Sequence, residues 1–338
     1  MSSLQPASRA SPTNPWQVPG FDIVRQIGYG GMARVFLANQ ISPPRQVALK
    51  VLSPHFSTSR KAVERFLREA RAASAIRHPN VVQVFGIGNV GDQHWIAMEF
   101  VDGATIHNLL RSTRRLSQRL SVDIARQIAA ALVAAHACNV LHRDLTPRNV
   151  LVCTAGQVKL ADFGLAKVED GDTAALTSPG ALVGTPMFMS PEQALGMAVD
   201  ARSDVYGVGM LLYLMVGGVY PYRARTSVEL LEQIITRPLP SLLVVRPDLD
   251  PRILAVIDRS TRKERDERFQ SASELHTALV QMLRDARQLP RTGSSATHPM
   301  IQQRPPKRPA SERPVLEAAN EYDLTAPRPV PPAPSDPS

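Results

Sequence analysis

From Phe21 to Leu52 the chain alternates apolar and polar positions in three short runs, FDIVRQIG, ARVFLANQ and RQVALKVL. Successive strand side chains point to opposite faces, so this alternation predicts three strands. A glycine-rich stretch separates the first two, and Pro43-Pro44 predicts a turn before the third. Over residues 60–76 the period changes. In RKAVERFLREARAASAI the apolar residues recur at helical spacing, and Pro79 follows as a stop signal. Two more strand-like runs, VVQVFGIG and HWIAMEF, flank Gly91-Asp92. The first hundred residues therefore read as a sheet of about five strands with one helix.

After Leu109 helical spacing dominates. Residues 117–140, SQRLSVDIARQIAAALVAAHACNV, predict a long helix, and 201–217, 227–236, 251–260 and 272–287 predict four more. NVLVC and QVKLAD predict a hairpin-like pair around Ala155-Gly156. Between Gly164 and Pro191 neither period holds, and Gly, Thr and Ser are frequent. A loop of that length inside a compact domain is usually functional. Residues 1–20 are Ser/Pro-rich and predict a flexible segment. Residues 288–338 predict a Pro-rich disordered tail, in which VLEAANEYDL alone carries apolar residues at helical or docking spacing.

The chain has 338 residues and 43% hydrophobic content, enough for one large domain or two lobes. The formal charge is +9, yet only six of the 39 basic residues are Lys. An Arg bias of that kind reflects base composition of a genome more than function. The Arg residues scatter over several helices without interleaved aromatics, so no nucleic-acid partner is expected. Cys138 and Cys153 lie in different segments and suit neither a disulfide framework nor a metal site. No apolar run of about 18 residues is evident, so no membrane span is expected. The N-terminus lacks an apolar core, so no signal peptide is expected either. These readings point to a cytoplasmic protein.

The chemistry sits in a series of short motifs. GYGGMA, from Gly28 to Ala33, lies between two predicted strands, and its glycines let backbone N–H groups approach phosphate oxygens. A strand on both sides argues against a dinucleotide-binding fold, where a helix would follow. VALK places Lys50 at the end of a strand, and Glu69 lies on the next helix. In HRDLTPRN, Asp144 can accept a proton from an attacking hydroxyl, and the amide oxygen of Asn149 suits a hard cation. ADFG follows a strand and offers Asp162 to a metal, and GTPMFMSPE begins about 20 residues later.

Taken in order, Gly28/Gly30, VALK, Glu69, HRDxxxxN, DFG and SPE resemble the eukaryotic-type protein kinase family, closest to the bacterial Ser/Thr kinases. The resemblance spans about residues 21–287. It implies an α+β, bilobal protein-kinase fold with a small β-rich N-lobe (21–101) carrying one main helix and a larger helical C-lobe (102–287). It implies ATP bound around Ile27, Gly28, Gly30, Val35, Ala48, Lys50, Glu69, Met98, Glu99, Val101, Asn149, Leu151 and Asp162. Met98 falls at the gatekeeper position, and Glu99 to Val101 at the hinge. Asn149 and Asp162 would bind Mg²⁺, with Mn²⁺ as the alternative. Asp144 would orient the hydroxyl, Lys50 would hold the α- and β-phosphates, and Thr185 would hydrogen-bond near Asp144. Asp204 matches a buried Asp that braces the catalytic loop, and Arg268 matches the partner of Glu192.

Two positions depart from the pattern. Ala33 replaces the third glycine, and Thr146 stands where such kinases usually place a Lys. A charged hydrogen bond lost there is worth about 1.5–3 kcal/mol. Felt wholly in the transition state, that slows transfer about 10–150-fold. Arg148 lies where the tyrosine-kinase loop HRDLAARN carries its Arg, and is the candidate compensation. GTPMFMSPE nonetheless resembles the Ser/Thr version of the substrate loop. Arg143 before Asp144 suggests control by a phosphate on the following loop, with Thr173, Thr177 and Ser178 as candidate sites. The expected activity is phosphoryl transfer to Ser or Thr of protein substrates, and the alternative is a pseudokinase scaffold. Adaptors binding the Pro-rich tail and a homodimer are further expected partners. No sensor domain or membrane span is expected, so the input would come from a partner, from concentration or from the tail.

Overall fold

A computed structural model describes residues 16–163 and 186–288 of the chain. Strands β1 (Phe21–Tyr29), β2 (Ala33–Gln40), β3 (Arg45–Leu52), β4 (Val84–Val90) and β5 (Gln93–Glu99) form an antiparallel sheet in the order β1-β2-β3-β5-β4. The period of two explains what each face does. Val47, Leu49 and Val51 of β3 are fully buried on one face with Phe36, Ala38 and Ala97. Ala48 and Lys50 point the other way and line a cavity. Trp16 and Val18 pack on the first face, and Val18 is only 3% exposed. The boundary expected at residue 20 thus cuts through a packed segment.

A short helix α1 (Pro54–Ser57) precedes α2 (Arg60–Ser74), whose first turn is capped by the Ser59 hydroxyl accepting from the Ala62 N–H. Phe66, Ala70 and Ala73 bury one stripe of α2, with Phe66 and Ala70 packed against Leu52 and Ile96 of the sheet. The run from Val81 does not enter the sheet at once. Val81 forms a parallel bridge with Leu160, and the Val82 N–H donates to the Leu160 carbonyl at 2.9 Å. Those residues therefore satisfy their backbone groups outside the sheet, and β4 starts only at Val84.

The second lobe holds α3 (Ile106–Thr113), α4 (Gln118–Ala137), α5 (Pro191–Ala194), α6 (Ala201–Gly217), α7 (Ser227–Thr236), α8 (Pro251–Ser260) and α9 (Ala272–Gln288). A small sheet joins β6 (Gly103–Thr105), β7 (Val150–Cys153) and β8 (Val158–Leu160) in that order. The helix α4 ends earlier than its pattern suggests. Asn139, in the left-handed region at φ 56°, lets the Asn139 and Val140 N–H groups cap the carbonyls of His136 and Ala135 at 3.0 Å each. By length and composition α4 meets the requirement for crossing a membrane, which the expectation of no such run overlooked. Here its Ile124, Ile128 and Leu132 are fully buried in the core of the second lobe. The neighbouring α6 is buried from Ser203 to Gly217. Its Gly207 allows close approach to the loop before β7, since a Cβ there would lie 2.9 Å from the Leu145 Cβ.

Candidate functional site

The loop HRDLTPRN is held from behind. Asp204 sits in the first turn of α6, 2% exposed. Its Oδ2 accepts from the His142 N–H at 2.9 Å, and its Oδ1 accepts from the Arg143 N–H at 2.8 Å. His136 at the end of α4 adds Nε2–H to Oδ2 at 2.8 Å. One buried carboxylate thus satisfies two loop amides that would otherwise be orphaned. It also holds Arg143 at φ 63°, a region side chains rarely adopt. The expected bracing role of Asp204 matches this geometry, while the contribution of His136 was not legible in the sequence.

His142 passes the order forward. Its Nε2–H donates to the Ala161 carbonyl at 3.0 Å, and its Nδ1 accepts from the Asp144 N–H at 3.3 Å. Burial keeps the imidazole below its ordinary pKa although Asp204 and Asp144 pull the other way. A neutral ring with the proton on Nε2 fits both contacts. The Asn149 amide nitrogen donates to the Asp144 carbonyl at 2.8 Å and to Asp144 Oδ2 at 3.1 Å. With its nitrogen so engaged, the amide oxygen is the group that Asn149 offers a cation.

Lys50 arrives from the other lobe. The register places it between Val35 of β2 and Ile96 of β5. Its Nζ lies 3.1 Å from Glu69 Oε1 and 2.7 Å from Asp162 Oδ1. Burial alone would favour the neutral amine, but the two carboxylates outweigh it and hold the ammonium above its usual range. The carboxylates share this one charge unequally. Asp162 has the shorter contact, so despite desolvation it stays below the ordinary aspartate value. Glu69 is pushed up by burial and by its neighbour Asp162. Asp162 keeps 43% of its side chain exposed, which leaves it open to a second cation. Among the described residues no group of three or more His, Cys, Asp or Glu side chains forms a ready metal site. Asp162 and the Asn149 amide oxygen, both hard oxygen donors lining one cavity, could hold a divalent cation there.

These groups meet at one cavity of about 1140 Å³. Ile27, Gly28, Gly30, Val35, Ala48, Met98 and Leu151 supply an apolar end with glycine backbone, and Glu99 and Val101 border it. Lys50, Glu69, Asp144, Arg148, Asn149 and Asp162 supply the charged end. Arg148 is exposed and reaches this wall, whereas Thr146 is not among the lining residues. Thr185, Thr173, Thr177 and Ser178 lie outside the described residues. Several lining residues were not anticipated, among them Val82, Thr105, Asn108, Ala161 and Gln193. Val82, Thr105 and Asn108 carry no motif, and only their place in the fold brings them to the cavity, whereas Ala161 stands first in ADFG. Gln193 had a local signal, since SPEQ forms a capping box with Ser190 at the start of α5. Its Nε2 also donates to the Arg143 carbonyl at 2.8 Å, tying α5 to the loop.

Glu192, on the same turn, meets Arg268 through two contacts of 2.7 and 2.8 Å. Arg268 is fully buried, and its remaining donors reach the carbonyls of Arg262, Lys263 and Arg202. Neither residue of this pair lines the cavity, and the pair is structural in character, as the motif pattern implied.

The family described as "Protein kinase domain" matches residues 21–310. Over 272 residues the chain is 38% identical to Serine/threonine-protein kinase pkn3 of Myxococcus xanthus, covering 78% of this chain and 50% of that protein. Over 255 residues it is 31% identical to Serine/threonine-protein kinase PrkC of Bacillus subtilis, covering 75% of this chain and 39% of that one. The chain thus spans half or less of the length of these curated relatives. The solved kinase domain of Mycobacterium tuberculosis PknI is similar at 28% identity with a TM-score of 0.63, covering 80% of this chain and 99% of that domain.

Proposed function

From the premise that this chain belongs to the protein kinase domain family, we propose that it transfers the γ-phosphoryl group of ATP to Ser or Thr hydroxyls of proteins. The observation that carries this reading is the convergence of Lys50, Asp144, Asn149 and Asp162 on one cavity, with the Lys50–Glu69 pair formed. The family uses ATP and a divalent metal generally, and Mg²⁺ suits the oxygen-only donor set of Asn149 and Asp162. When bound, that ion neutralises phosphate charge. Asp144, its loop fixed by Asp204, orients the incoming hydroxyl and takes up its proton. Lys50 holds the phosphate chain, and Asp162 meets the ion. Rate enhancement then comes from position and electrostatics rather than from covalent chemistry. Arg148, at the cavity wall where Thr146 is not, supplies positive charge toward the γ-phosphate.

Arg143, held by Asp204, provides a cation for a phosphate on the loop that carries Thr173, Thr177 and Ser178. Protein substrates, adaptors on the Pro-rich tail, a homodimer and a cytoplasmic site of action complete the reading. No observation favours a scaffold that has lost catalysis. The test is incubation of the purified chain with Mg-ATP and mass spectrometry of phosphosites, beside Asp144→Asn and Lys50→Met. Wild type gains phosphate and both variants gain none. If wild type neither modifies itself nor a protein substrate, with Mg²⁺ or Mn²⁺, the proposal fails. Arg148→Ala slows transfer several-fold, and an undiminished rate removes Arg148 from the mechanism.

A further inference from the structure

Glu99, at the apolar end of the cavity, belongs to a second ion pair that no motif announced. Lys159 of β8 places its Nζ 2.6 Å from Oε1 and 2.8 Å from Oε2 of Glu99. Lys159 is buried at 8% exposure, and Glu99 borders the cavity at the end of β5. Glu99 is gripped at both ends. Its backbone N–H donates to the Gln83 carbonyl at 2.8 Å, and its Oε2 accepts from the Gln83 N–H at 3.2 Å. Gln83 in turn follows Val81 and Val82, which are hydrogen-bonded and bridged to Leu160. The end of β5, the segment before β4 and β8 are therefore joined around one charge pair. The register sets Lys159 directly opposite Leu151, which lines the same cavity. Three residues beyond Lys159 the chain reaches Asp162.

We propose that the Glu99–Lys159 pair is a positioning device for the purine end of the nucleotide, fixing the backbone after β5 against the strand that leads to Asp162. The proposal rests on the nucleotide reading given above. Buried ion pairs are poor stabilisers compared with apolar packing of the same volume, and their best-attested use is to fix one arrangement among several. This pair lies between the two lobes' strands rather than within either core. It coexists with the formed Lys50–Glu69 and Lys50–Asp162 contacts, so it belongs to the assembled site. Its loss leaves the phosphate end intact and lets the apolar wall drift.

The experiment measures binding of two partial ligands to the full chain. Adenosine probes the purine end, and inorganic tripolyphosphate with Mg²⁺ probes the charged end. In Lys159→Met, adenosine affinity falls about tenfold while tripolyphosphate affinity holds. KM for ATP rises by a similar factor with kcat within about twofold, and Lys159→Arg restores both. The neutral double variant Lys159→Met with Glu99→Gln strands no charge, so it keeps the test open if the single variant does not fold, and it shows the same split. Unchanged adenosine affinity, equal losses for both ligands or a raised kcat overturns the proposal. Wild type binding neither ligand overturns the nucleotide reading itself, and the positioning role with it.

Discussion

Lys50 faces two carboxylates at the wall of a cavity, while Arg268 meets Glu192 where solvent does not reach. Both are charged clusters that join elements far apart in sequence. In the buried one, the five guanidinium N–H groups are shared among Glu192 and three carbonyls, and Ser203 also donates to Glu192. Nothing is left over for a ligand. In the open one, a single ammonium serves Glu69 and Asp162, and Asp162 stays 43% exposed. Negative charge exceeds positive there, which invites a cation. A completed network holds a fold together, and an incomplete one at a cavity is built to be completed by what binds.

Breaking the closed cluster should give the largest effect on stability. Arg268→Ala leaves Glu192 buried without its partner and costs about 3–5 kcal/mol. Urea unfolding measures it, and a loss under about 1 kcal/mol would show the pair to be dispensable. Breaking the open cluster should act on rate instead. Lys50→Met lowers phosphate transfer by about 100-fold or more while the melting temperature moves little. A melting temperature that collapses along with the rate would erase the distinction. Acid separates the two clusters more gently. Glu192 is held below the ordinary glutamate value of 4.5 by Arg268 and Ser203 against the cost of burial. Its contribution is present above that value and is lost as pH falls through the depressed one. Glu69 is raised above 4.5, so it takes its proton first, and that protonation does not weaken the fold. Activity should therefore fade at a higher pH than circular dichroism does. Coincident midpoints would contradict this order.

Much of this molecule was readable from local pattern. The helices at 201–217, 227–236 and 251–260 have the bounds that hydrophobic spacing predicts, because α7 and α8 each present an apolar stripe, α6 is an apolar run buried on all sides, and each begins at a capping residue, Asp200, Thr226 or Asp250. Lys50, Asp144, Asn149 and Asp162 are legible because they fall in short motifs whose order along the chain resembles the protein kinase family. The helix α3 leaves no legible pattern, since eight residues give too few turns to establish a period. Val81 and Val82 suit a strand of the first sheet by pattern, yet they are bridged and hydrogen-bonded to Leu160 of β8.

By itself, then, the sequence determined which chemical groups the chain carries and most of the elements that carry them, because both depend on residues near one another along the chain. Only the tertiary structure decided which of those groups face each other. That His136 joins Asp204, that Lys159 finds Glu99, and that Asp162 lies closer than Glu69 to Lys50 all depend on contacts between segments 60 to 112 residues apart. Electrostatic and hydrogen-bond energies act over a few ångströms, so no pattern along the chain records them until folding brings the partners together.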